Sequence, residues 1–465
     1  MHHTENNEDL VDVMMDVAGK HITVIGAARS GVAVAQLLKE SGAIVFVSDS
    51  GAAEKLNTQI ANLTSLEIEY EVGGHTDRVL ESEMIVISPG VPSNIAVIQE
   101  AHRRGIPVLS ELELASRFCP APIIAVTGTN GKTTTTTLIG RMLHDAKKKH
   151  IVAGNIGTAF SSVVKELDER SVAVLEVSSF QLDNIETFHP NVSMILNITP
   201  DHLDRYDHSF ENYSASKSRI FENQTKEDVL IYNNDDEATR ERVQRDAVLR
   251  VRTLGFGVKQ QFAEGAFVEN NTLVTVIDGK HTPIIETDQI SIRGRHNLYN
   301  AMAATLAAQS IGIGVPSIRA TLKNFKGVEH RLEFVRDVNG VKYVNDSKAT
   351  NVDSVWYALQ SFTEPIVLLL GGRDKGNDYS KLDTLVARHV KAIVAIGESA
   401  EKVYGAFNGK KTVVKAGSMA EAIAQASVLA VSGDVVLLSP ACASFDWFEN
   451  YEHRGKIFKQ IVNEL

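Results

Sequence analysis

The chain has 465 residues, 43% hydrophobic and 23% charged, which is the composition of an ordinary globular protein with about two to four domains. Its 47 basic and 58 acidic residues give a net charge of −11, which excludes a general nucleic-acid or anionic-membrane surface and requires any phosphate site to be local. Cys119 and Cys442 are too few for a disulfide framework, and no apolar run approaches the roughly 18–20 residues that span a bilayer. We therefore expect a cytoplasmic protein without membrane insertion.

Residues 1–19 contain five acidic residues and neither Lys nor Arg. This pattern is the reverse of a signal peptide, which begins with a positively charged region. We interpret the segment as an acidic tail outside the folded domains, and we assign no function to it.

Short apolar runs bounded by Gly, Pro or Asp recur along the rest of the chain. They are ITVI at 22, IVFV at 44, MIVI at 84, IIAV at 123, VAVL at 172, MILN at 194, IVLLL at 366, AIVAI at 392 and VVLL at 435. Because helix-like patterns separate them, we predict an α/β protein with mostly parallel sheets buried on both faces. The pattern forms three blocks, residues 20–111, 112–327 and 328–465. Within the second block we predict antiparallel strands over about 230–292, followed by a helix over GRHNLYNAMAATLAAQSIG.

The first block opens with strand, glycine turn, helix, strand and acid, in ITVIGAARSGVAVAQLLKESGAIVFVSDS. Asp49 ends the second strand, where an acid can bind ribose or sugar hydroxyls, and the turn could face a diphosphate. The glycines are Gly26 and Gly31, however, and this spacing is not the G-x-G-x-x-G of tight dinucleotide binding. Helix packing explains such a turn equally well. The segment ISPGVP contains residues 88–92, which end another strand of this block and could line the same crevice.

A second turn, TGTNGKTT, follows the run IIAV and enters a helix that begins with five threonines. Gly128 and Gly131 allow the backbone to turn its N–H groups inward, Lys132 adds a positive charge, and the helix N-terminus adds a partial one. The hydroxyl of Thr133 suits Mg²⁺. The common phosphate loop is G-x-x-x-x-G-K-[ST]; here Val126 stands where its first glycine would lie, so the loop is shortened. We predict a phosphate site in preference to a purely structural turn.

Two groups of polar residues follow neighbouring apolar runs of the second block. Glu176, after SVAVL, is placed to reach a Mg²⁺ ion at the phosphate turn, although a buried glutamate is as often a structural acceptor. The segment TPDHLDRY brings His202 between two aspartates, and Lys217 lies fifteen residues further on. Histidine is an unusual ligand of Mg²⁺, and lysine cannot bind a cation while it is an ammonium. The residues alone leave the roles of His202 and Lys217 open.

Three loops of the third block carry cationic or hydroxyl groups directly after apolar runs. NDSKATN contains Asp346 and Lys348, LLLGGRDKG contains Lys375, and LLSPACASFDWF contains Ser444. The carboxyl ends of parallel strands meet at one edge of a sheet, where such sheets bind ligands. Each loop alone is more simply a solvated loop, but the three together predict a pocket for an anionic substrate.

The ordered set TGTNGKTT, GNIG, LEVSSFQL, TPDHLDRY, GRHNLYNA, HRLE, NDSKATN and SPACASFDWF resembles the Mur ligases over nearly the whole chain from Lys20. Within that family it is similar to the members that join D-glutamate to UDP-N-acetylmuramoyl-L-alanine. The resemblance implies a Rossmann-like first domain for the UDP substrate, a central domain of phosphate-loop ATPase type, and a Rossmann-like third domain for the amino acid. It implies ATP, two Mg²⁺ ions and a CO₂-derived carbamate on Lys217, and we expect a monomer.

The resemblance also implies roles for individual residues. Catalytic roles fall to Lys132, Glu176, His202, Lys217 and Lys348. Thr133 and Glu176 would bind one Mg²⁺ ion, and His202 with carbamylated Lys217 the other. Nucleotide contacts fall to Gly128, Thr129, Asn130, Gly131, Lys132, Thr133, Thr134, Asn297, Asn300, Arg331 and Asp346. The UDP-muramoyl substrate is assigned Ser30, Asp49, Ser50 and Asn155. D-Glutamate and the transferred phosphate are assigned Lys348, Thr350, Lys375, Ser444 and Tyr451.

Two residues depart from the family pattern: Trp447 stands where a smaller polar residue is expected, and Tyr451 where Phe is common. Both concern the amino-acid pocket. The nearest alternatives are a sister ligase for L-alanine, a dibasic amino acid or a dipeptide, and a folylpolyglutamate synthase. A nicotinamide-dependent oxidoreductase would leave Lys132, Glu176 and Lys217 unexplained. A UDP-sugar sensor without catalytic activity would not need the metal-binding residues.

Overall fold

The computed structural model describes residues 16–247, 249–374 and 376–465. Most of the predicted acidic tail and Lys375 therefore lie outside the described residues. The chain divides into two compact units. The first comprises Met1–Glu286 with Asn300–Thr321, and the second comprises Thr287–Tyr299 with Leu322–Leu465. No helix in the described ranges is both long and apolar enough to cross a membrane.

The first sheet has five parallel strands in the order β3-β2-β1-β4-β5. The strands are β1 (His21–Ile25), β2 (Ile44–Asp49), β3 (Glu69–Val72), β4 (Met84–Ile87) and β5 (Val108–Ser110). The accompanying helices are α1 (Arg29–Glu40), α2 (Asn57–Ser65), α3 (Ala96–Arg103) and α4 (Glu111–Ser116). Strand order reverses between β1 and β4, which opens a crevice at the carboxyl ends of these strands.

The second sheet has nine strands in the order β14-β13-β12-β11-β10-β9-β6-β8-β7. The strands are β6 (Ile123–Thr127), β7 (His150–Gly154), β8 (Val172–Glu176), β9 (Val192–Ile195), β10 (Val229–Asn233), β11 (Arg252–Phe256), β12 (Gly265–Glu269), β13 (Thr272–Ile277) and β14 (Lys280–Glu286). The helices are α5 (Lys132–Asp145), α6 (Ser179–Leu182), α7 (Phe210–Ser218), α8 (Glu237–Asp246), α9 (Arg295–Ser310) and α10 (Val315–Asn324). All five residues of β6 are buried, so the phosphate turn leaves the interior of the sheet.

The prediction of antiparallel strands over about 230–292 is wrong in part. β10 and β11 continue the parallel sheet, and β12 also pairs with β11 in parallel. Only β12, β13 and β14 form antiparallel pairs, and DQISI contains no strand. The alternation of TLVTV identified β13 correctly. The antiparallel assignment was wrongly extended from β13 to β10, β11 and the segment DQISI. Apolar and polar residues can alternate in a strand near a sheet edge whether its neighbour runs parallel or antiparallel, so alternation does not give the direction.

The third sheet has six strands in the order β15-β16-β20-β17-β18-β19. The strands are β15 (Glu333–Val338), β16 (Val341–Asn345), β17 (Ile366–Gly371), β18 (Val390–Ile396), β19 (Thr412–Lys415) and β20 (Val435–Leu438). The helices are α11 (Val352–Leu359), α12 (Asp383–His389), α13 (Ala400–Phe407), α14 (Met419–Leu429) and α15 (Tyr451–Glu464). Only β15 is antiparallel to its neighbour.

A buried carboxylate joins the first sheet's last helix to the second sheet's loops. The side chain of Glu113 on α4 is fully buried and accepts backbone N–H groups of Glu186, Thr187 and Phe188 at 2.8–3.1 Å, together with a 2.7 Å bond from Arg117. Burial opposes ionisation of this carboxyl, but the Thr187 hydroxyl, which donates to it at 2.6 Å, and these other donors outweigh burial and lower its pKa. The same part of the chain shares one hydrophobic core, whose buried residues lie between Val17 and Val251 in the sequence.

Candidate active site

The phosphate turn lies at the carboxyl end of β6 and leads into α5. Lys132 is the first residue of α5, and its Nζ donates to the carbonyl oxygens of Gly128 at 2.7 Å and Thr129 at 2.9 Å. The ammonium group is thereby folded back over the turn. With the N-terminus of a helix of fourteen residues beside it, the turn concentrates positive charge at one point of an acidic protein.

Gly131 closes this turn in a backbone conformation that other residues rarely adopt, with φ +89°. A Cβ atom at this position would lie 2.5 Å from Oδ1 of Asn300. The turn therefore requires glycine for both its conformation and its close contact with α9.

We expect Gly131→Ala to lower the free energy of unfolding by about 1–3 kcal/mol, because the substitution adds left-handed strain to a steric clash. Urea denaturation monitored by circular dichroism measures the change. Gly405→Ala is the matched control, since Gly405 lies within α13 and an added Cβ would meet nothing within 4 Å. Equal stability of the Gly131 variant and the wild type would contradict the prediction.

Three of the five threonines that open α5 form hydrogen bonds through their hydroxyl groups, which explains residues that are otherwise mediocre helix formers. Thr133 donates to Oε2 of Glu176 at 2.8 Å, and Thr135 donates to Oδ1 of Asn300 at 3.2 Å. Thr136 bonds the carbonyl of Lys132 at 2.8 Å. The hydroxyl of Thr134 is buried without a hydrogen-bond partner among the described residues, which leaves it available to a ligand at the turn.

Glu176 is the last residue of β8 and is buried beside the turn. Its Oε2 accepts from Thr133, and its Oε1 accepts from Nδ2 of Asn155 at 3.0 Å. The backbone N–H of Asn155 also donates to the carbonyl of Glu176 at 2.8 Å. Thus Thr133, Asn155 and Glu176, predicted from three separate motifs, are in direct contact.

Lys217 lies on α7, is 2% exposed, and donates through Nζ to the carbonyl of Gly128 at 3.0 Å. This is the carbonyl that Lys132 also contacts, so two lysine side chains converge on one oxygen. The ring of Tyr213 lies beneath Nζ of Lys217, with its centroid 4.7 Å away. Lys217 is therefore a buried amine at the phosphate turn.

The surroundings of Lys217 disfavour its charged form. Burial, and then the charge of Lys132, lower the pKa of Lys217 well below its ordinary value, whereas Asp201, Asp183 and Glu176 act in the opposite direction. A neutral amine reacts with CO₂ and an ammonium does not. The environment is therefore compatible with a carbamate on this residue.

The loop that carries His202 lies beside this group. His202 has a left-handed backbone, with φ +50°, and its ring stands edge-on to Phe180 of α6 at 5.3 Å between centroids. Its neighbour Asp201 contributes to the electrostatic environment of Lys217. The loop also reaches the first sheet, because Arg205 donates to the carbonyls of Gly90 at 3.4 Å and Val91 at 3.2 Å.

The predicted UDP residues lie at the carboxyl ends of β1 and β2. Asp49 ends β2, and its two carboxylate oxygens accept the backbone N–H groups of Ala27 and Gly51, both at 2.6 Å. The carboxylate therefore shapes the glycine turn, and each oxygen keeps a further lone pair for a ligand. Ser50 is exposed beside it, and Ser30 lies in the first turn of α1. Ser88 bonds the carbonyl of Gly26 at 3.0 Å, which brings ISPGVP to this turn.

In the second unit, two of the residues predicted for the amino acid meet at the start of α15. Nζ of Lys348 donates to the hydroxyl of Tyr451 at 3.2 Å, and its distance to the centre of the Tyr451 ring is 5.1 Å. The N–H of Thr350 bonds the carbonyl of Lys348 at 2.9 Å. Ser444 is buried, and its carbonyl accepts from the N–H groups that follow it, including that of Trp447 at 3.2 Å. Trp447 is partly buried and packs against a hydrophobic core of this unit, with its ring edge-on to that of Phe448.

Asp346 has an unusual carboxyl group in this unit. Burial raises its pKa to about 6, although the charge of Arg331, the Ser439 hydroxyl, the Leu332 N–H and the charge of Arg454 oppose the rise. The folded protein binds a proton between about pH 4 and pH 6 that the unfolded chain does not bind. This carboxyl therefore destabilises the fold at pH 7, and its effect declines as the pH falls below about 6 and is lost below about 4.

We expect Asp346→Asn to remove this dependence. On lowering the pH from 7 to 4, the wild type should gain up to about 3 kcal/mol of unfolding free energy relative to the variant, at 1.36 kcal/mol for each pKa unit. Urea denaturation at both pH values measures the difference. Asp337→Asn replaces an exposed aspartate as the control. Parallel pH profiles for the wild type and Asp346→Asn would refute the expectation.

Each unit contains buried polar groups that could bind a ligand, and those of the phosphate turn fit phosphate and a hard divalent cation. The Nε atom of Arg331, in the second unit, is buried without a hydrogen-bond partner among the described residues. Asn297 and Asn300 are buried three residues apart on α9. At the phosphate turn, the hydroxyl of Thr133 and the carboxylate of Glu176 are the oxygen ligands that Mg²⁺ prefers.

Sequence reasoning missed the residues that hold these groups in place. Asn197, two residues after the end of β9, accepts the N–H of Asn130 through Oδ1 at 2.8 Å and donates to the carbonyl of Asn130 at 3.0 Å. In the second unit, the buried guanidinium of Arg454 joins two loops, with bonds of 2.9 Å to the Ser347 hydroxyl and 3.1 Å to the Cys442 carbonyl. The asparagine that ends the run MILN was the one available signal for Asn197.

Comparison with known proteins gives full-length relatives. The chain is 48% identical to the UDP-N-acetylmuramoylalanine--D-glutamate ligase of Chloroherpeton thalassium, over 97% of this chain and 99% of the relative. It is also 48% identical to the protein of that name from Salinibacter ruber, with the same coverage. Residues 20–110 match the Mur ligase MurD-like N-terminal domain, 126–308 the Mur ligase middle domain, and 330–442 the Mur ligase glutamate ligase domain. The chain belongs to the Mur ligase family.

Solved structures with low sequence identity to this Mur ligase share its fold. A pseudomurein peptide ligase type C from Methanothermus fervidus has a TM-score of 0.60 at 21% identity and covers 96% of this chain and 100% of its own. UDP-N-acetylmuramate-alanine ligase from Thermotoga maritima has a TM-score of 0.59 at 20% identity, with coverage of 96% and 99%. The predictions of the family and of the α/β fold class are therefore confirmed, and an oxidoreductase is no longer an alternative.

Proposed function

We propose that this Mur ligase joins D-glutamate to UDP-N-acetylmuramoyl-L-alanine in an ATP-dependent step of peptidoglycan precursor synthesis. The observation that supports this proposal most strongly is the phosphate turn. Lys132, the hydrogen-bonded pair Thr133 and Glu176, and the buried Lys217 lie together there. Full-length relatives at 42–48% identity bear the name of this ligase, which supports the choice of substrates. The proposal includes a cytoplasmic, monomeric enzyme.

In the proposed reaction, the terminal carboxylate of the muramoyl substrate attacks the γ-phosphate of ATP, giving an acyl phosphate and ADP. The amine of D-glutamate then attacks the acyl carbon, and phosphate leaves. The first step brings a carboxylate towards a triphosphate, and both are anions. Lys132 and the N-terminus of α5 reduce this repulsion at the turn, which is the electrostatic task of enzymes that transfer phosphoryl groups.

Mg²⁺, when bound, supplies further positive charge for the same purpose. Thr133 and Glu176 would hold one ion, and His202 with Lys217 as its carbamate would hold a second. The buried position of Lys217 beside Lys132 supports this proposal, because both disfavour the ammonium form and a carbamate would place a negative charge next to Lys132.

We further propose that residues 20–111 bind the UDP substrate, 112–327 bind ATP and 328–465 bind D-glutamate. The UDP substrate would contact Ser30, Asp49, Ser50 and Asn155. D-Glutamate would contact Lys348, Thr350, Lys375, Ser444 and Tyr451. The contact between Lys348 and Tyr451 supports a pocket in which one ammonium faces the amino acid's carboxylates.

Phosphate release from ATP tests the proposal. The protein is supplied with UDP-N-acetylmuramoyl-L-alanine and a panel containing D-glutamate, L-glutamate, L-alanine and a dibasic amino acid. We expect release to be stimulated by D-glutamate alone. Stimulation by another member of the panel, with none by D-glutamate, would assign the chain to a sister ligase instead.

A further inference from the structure

The turn after β3 carries a polar cluster that the proposed reaction does not use. The hydroxyl of Ser48, buried on β2, lies 2.6 Å from Oε1 of Glu71 and 2.7 Å from Nδ1 of His75. Thr76 adds its backbone N–H and hydroxyl to Glu71, at 3.0 and 2.7 Å. The side chains of Ser48, Glu71, His75 and Thr76 thus form one hydrogen-bonded cluster at the carboxyl end of the first sheet, next to Asp49.

The backbone places this imidazole beside the predicted UDP residues. The N–H of Gly73 donates to the carbonyl of Gly51 at 2.9 Å, and the N–H of Gly74 lies 3.4 Å from the carbonyl of Asp49. Gly73 and Gly74 have φ of +83° and +156°, yet a Cβ on either would meet nothing within 4 Å. The glycines are therefore required by the path of the chain, and the space beside them is open to a ligand.

The hydrogen bonds determine which nitrogen of His75 faces Ser48. Ser48 has one hydroxyl proton, and a donor bond to the Glu71 carboxylate uses it. The short contact with Nδ1 then requires His75 to donate its Nδ1–H to the Ser48 oxygen. The tautomer of the ring is set from one side, and the opposite nitrogen, Nε2, is the one that the Ser48 contact does not use.

Charge in the cluster indicates which part of a nucleotide it suits. Burial opposes ionisation of Glu71, but the bonds from Ser48 and Thr76 outweigh it and lower the pKa of Glu71. A diphosphate would be repelled by this carboxylate and that of Asp49. Ribose hydroxyls and the uracil ring are neutral and offer both donors and acceptors.

We propose that His75 is a further substrate-binding residue, which contacts the uridine portion of the UDP-muramoyl substrate through Nε2. This inference rests on the proposed function. If His75 only stabilised the fold, its Nδ1 contact with Ser48 would be sufficient. Substrate binding requires Nε2 as well, so substitutions that remove one nitrogen at a time distinguish the two roles.

Two substitutions distinguish the contributions of the two ring nitrogens of His75. His75→Asn keeps a nitrogen near the position of Nδ1 and lacks an equivalent of Nε2, whereas His75→Gln keeps a nitrogen near the position of Nε2. Thr76→Val removes another hydrogen bond to Glu71 and is the control for disturbance of the cluster. Calorimetry measures the dissociation constants of UDP, UMP and pyrophosphate, and steady-state assays measure the KM of each substrate.

We expect His75→Asn to weaken UDP and UMP binding by about tenfold, the value of one good hydrogen bond, and to raise the KM of the muramoyl substrate by a similar factor. His75→Gln should recover part of the affinity, and pyrophosphate binding, Thr76→Val and the KM of D-glutamate should be unaffected. Equal binding of UMP by the wild type and His75→Asn would overturn the inference, as would equal losses in Thr76→Val.

Nitrogen-15 NMR on the wild type tests the inference without a substitution, and therefore also when a variant fails to fold. UMP should shift the Nε2 resonance of His75, and ADP should not; no shift with UMP would overturn the inference. Failure of the wild type to bind UDP and to release phosphate would instead refute the proposed function itself.

Discussion

Lys217→Ala is expected to lower the rate of ligation by about a thousandfold or more. The substitution removes the group that we propose as a carbamate ligand of the second Mg²⁺ ion, and a metal ion contributes several kcal/mol to such a transition state at 1.36 kcal/mol for each factor of ten. Because Lys217 is buried at the carbonyl of Gly128, its loss also leaves a cavity beside the turn. A small carboxylate can fill that cavity and replace the lost oxygen ligands.

Short-chain carboxylates, such as acetate and propionate, should therefore restore part of the activity of Lys217→Ala. The measurement is phosphate release from ATP across a concentration series of each carboxylate, at constant ionic strength. Lys226→Ala, which removes an exposed lysine, should retain wild-type activity and show no response. A fully active Lys217→Ala enzyme without any response would remove the carbamate from the mechanism.

Glu176→Gln is expected to reduce the rate by about a hundredfold to a thousandfold and to raise the Mg²⁺ concentration needed for half-maximal activity. The carboxylate of Glu176 accepts from Thr133 and Asn155 at 2.8 and 3.0 Å. An amide keeps the size of the side chain, but it lacks the charge that attracts the ion, and only one of its two atoms can accept a hydrogen bond.

A Mg²⁺ titration of phosphate release distinguishes the loss of a ligand from a general loss of structure. Thermal unfolding should change by only a few degrees in Glu176→Gln, and the exposed Glu169→Gln should match the wild type in both measurements. An unchanged Mg²⁺ requirement in Glu176→Gln would show that this carboxylate does not serve the ion.

The strands that the apolar runs predicted are ones with residues buried on both faces. All nine apolar runs are strands, because buried parallel strands must be continuous hydrophobic segments. β3, β7 and β19 were not singled out, because each is partly exposed and lacks such a run. The direction of β10 and β11 was misjudged for a related reason. Strand direction depends on the connection that brings a strand to its neighbour, and local composition does not encode it.

Some residues of the candidate site could be predicted from the sequence, and others could not. Lys132, Thr133 and Glu176 could be predicted, since a glycine turn after a strand and an acid after the neighbouring strand have recognisable local patterns. Asn197 and Arg454 were missed, because their value lies in which loops they join. His75 stands in no motif that was singled out, and only the pairing of β2 with β3 brings it to Ser48.

The sequence by itself determined the α/β class, the place of the phosphate turn and the chemical types of the groups around it, because these depend on local periodicity and on a few residues with special chemistry. Tertiary structure alone decided that Lys132 and Lys217, which are 85 residues apart, contact one carbonyl oxygen. It also decided that Lys217 is buried there, which lowers its pKa. The physical reason is that burial and electrostatic environment are set by residues distant in the chain, whose approach depends on the packing of whole sheets and helices.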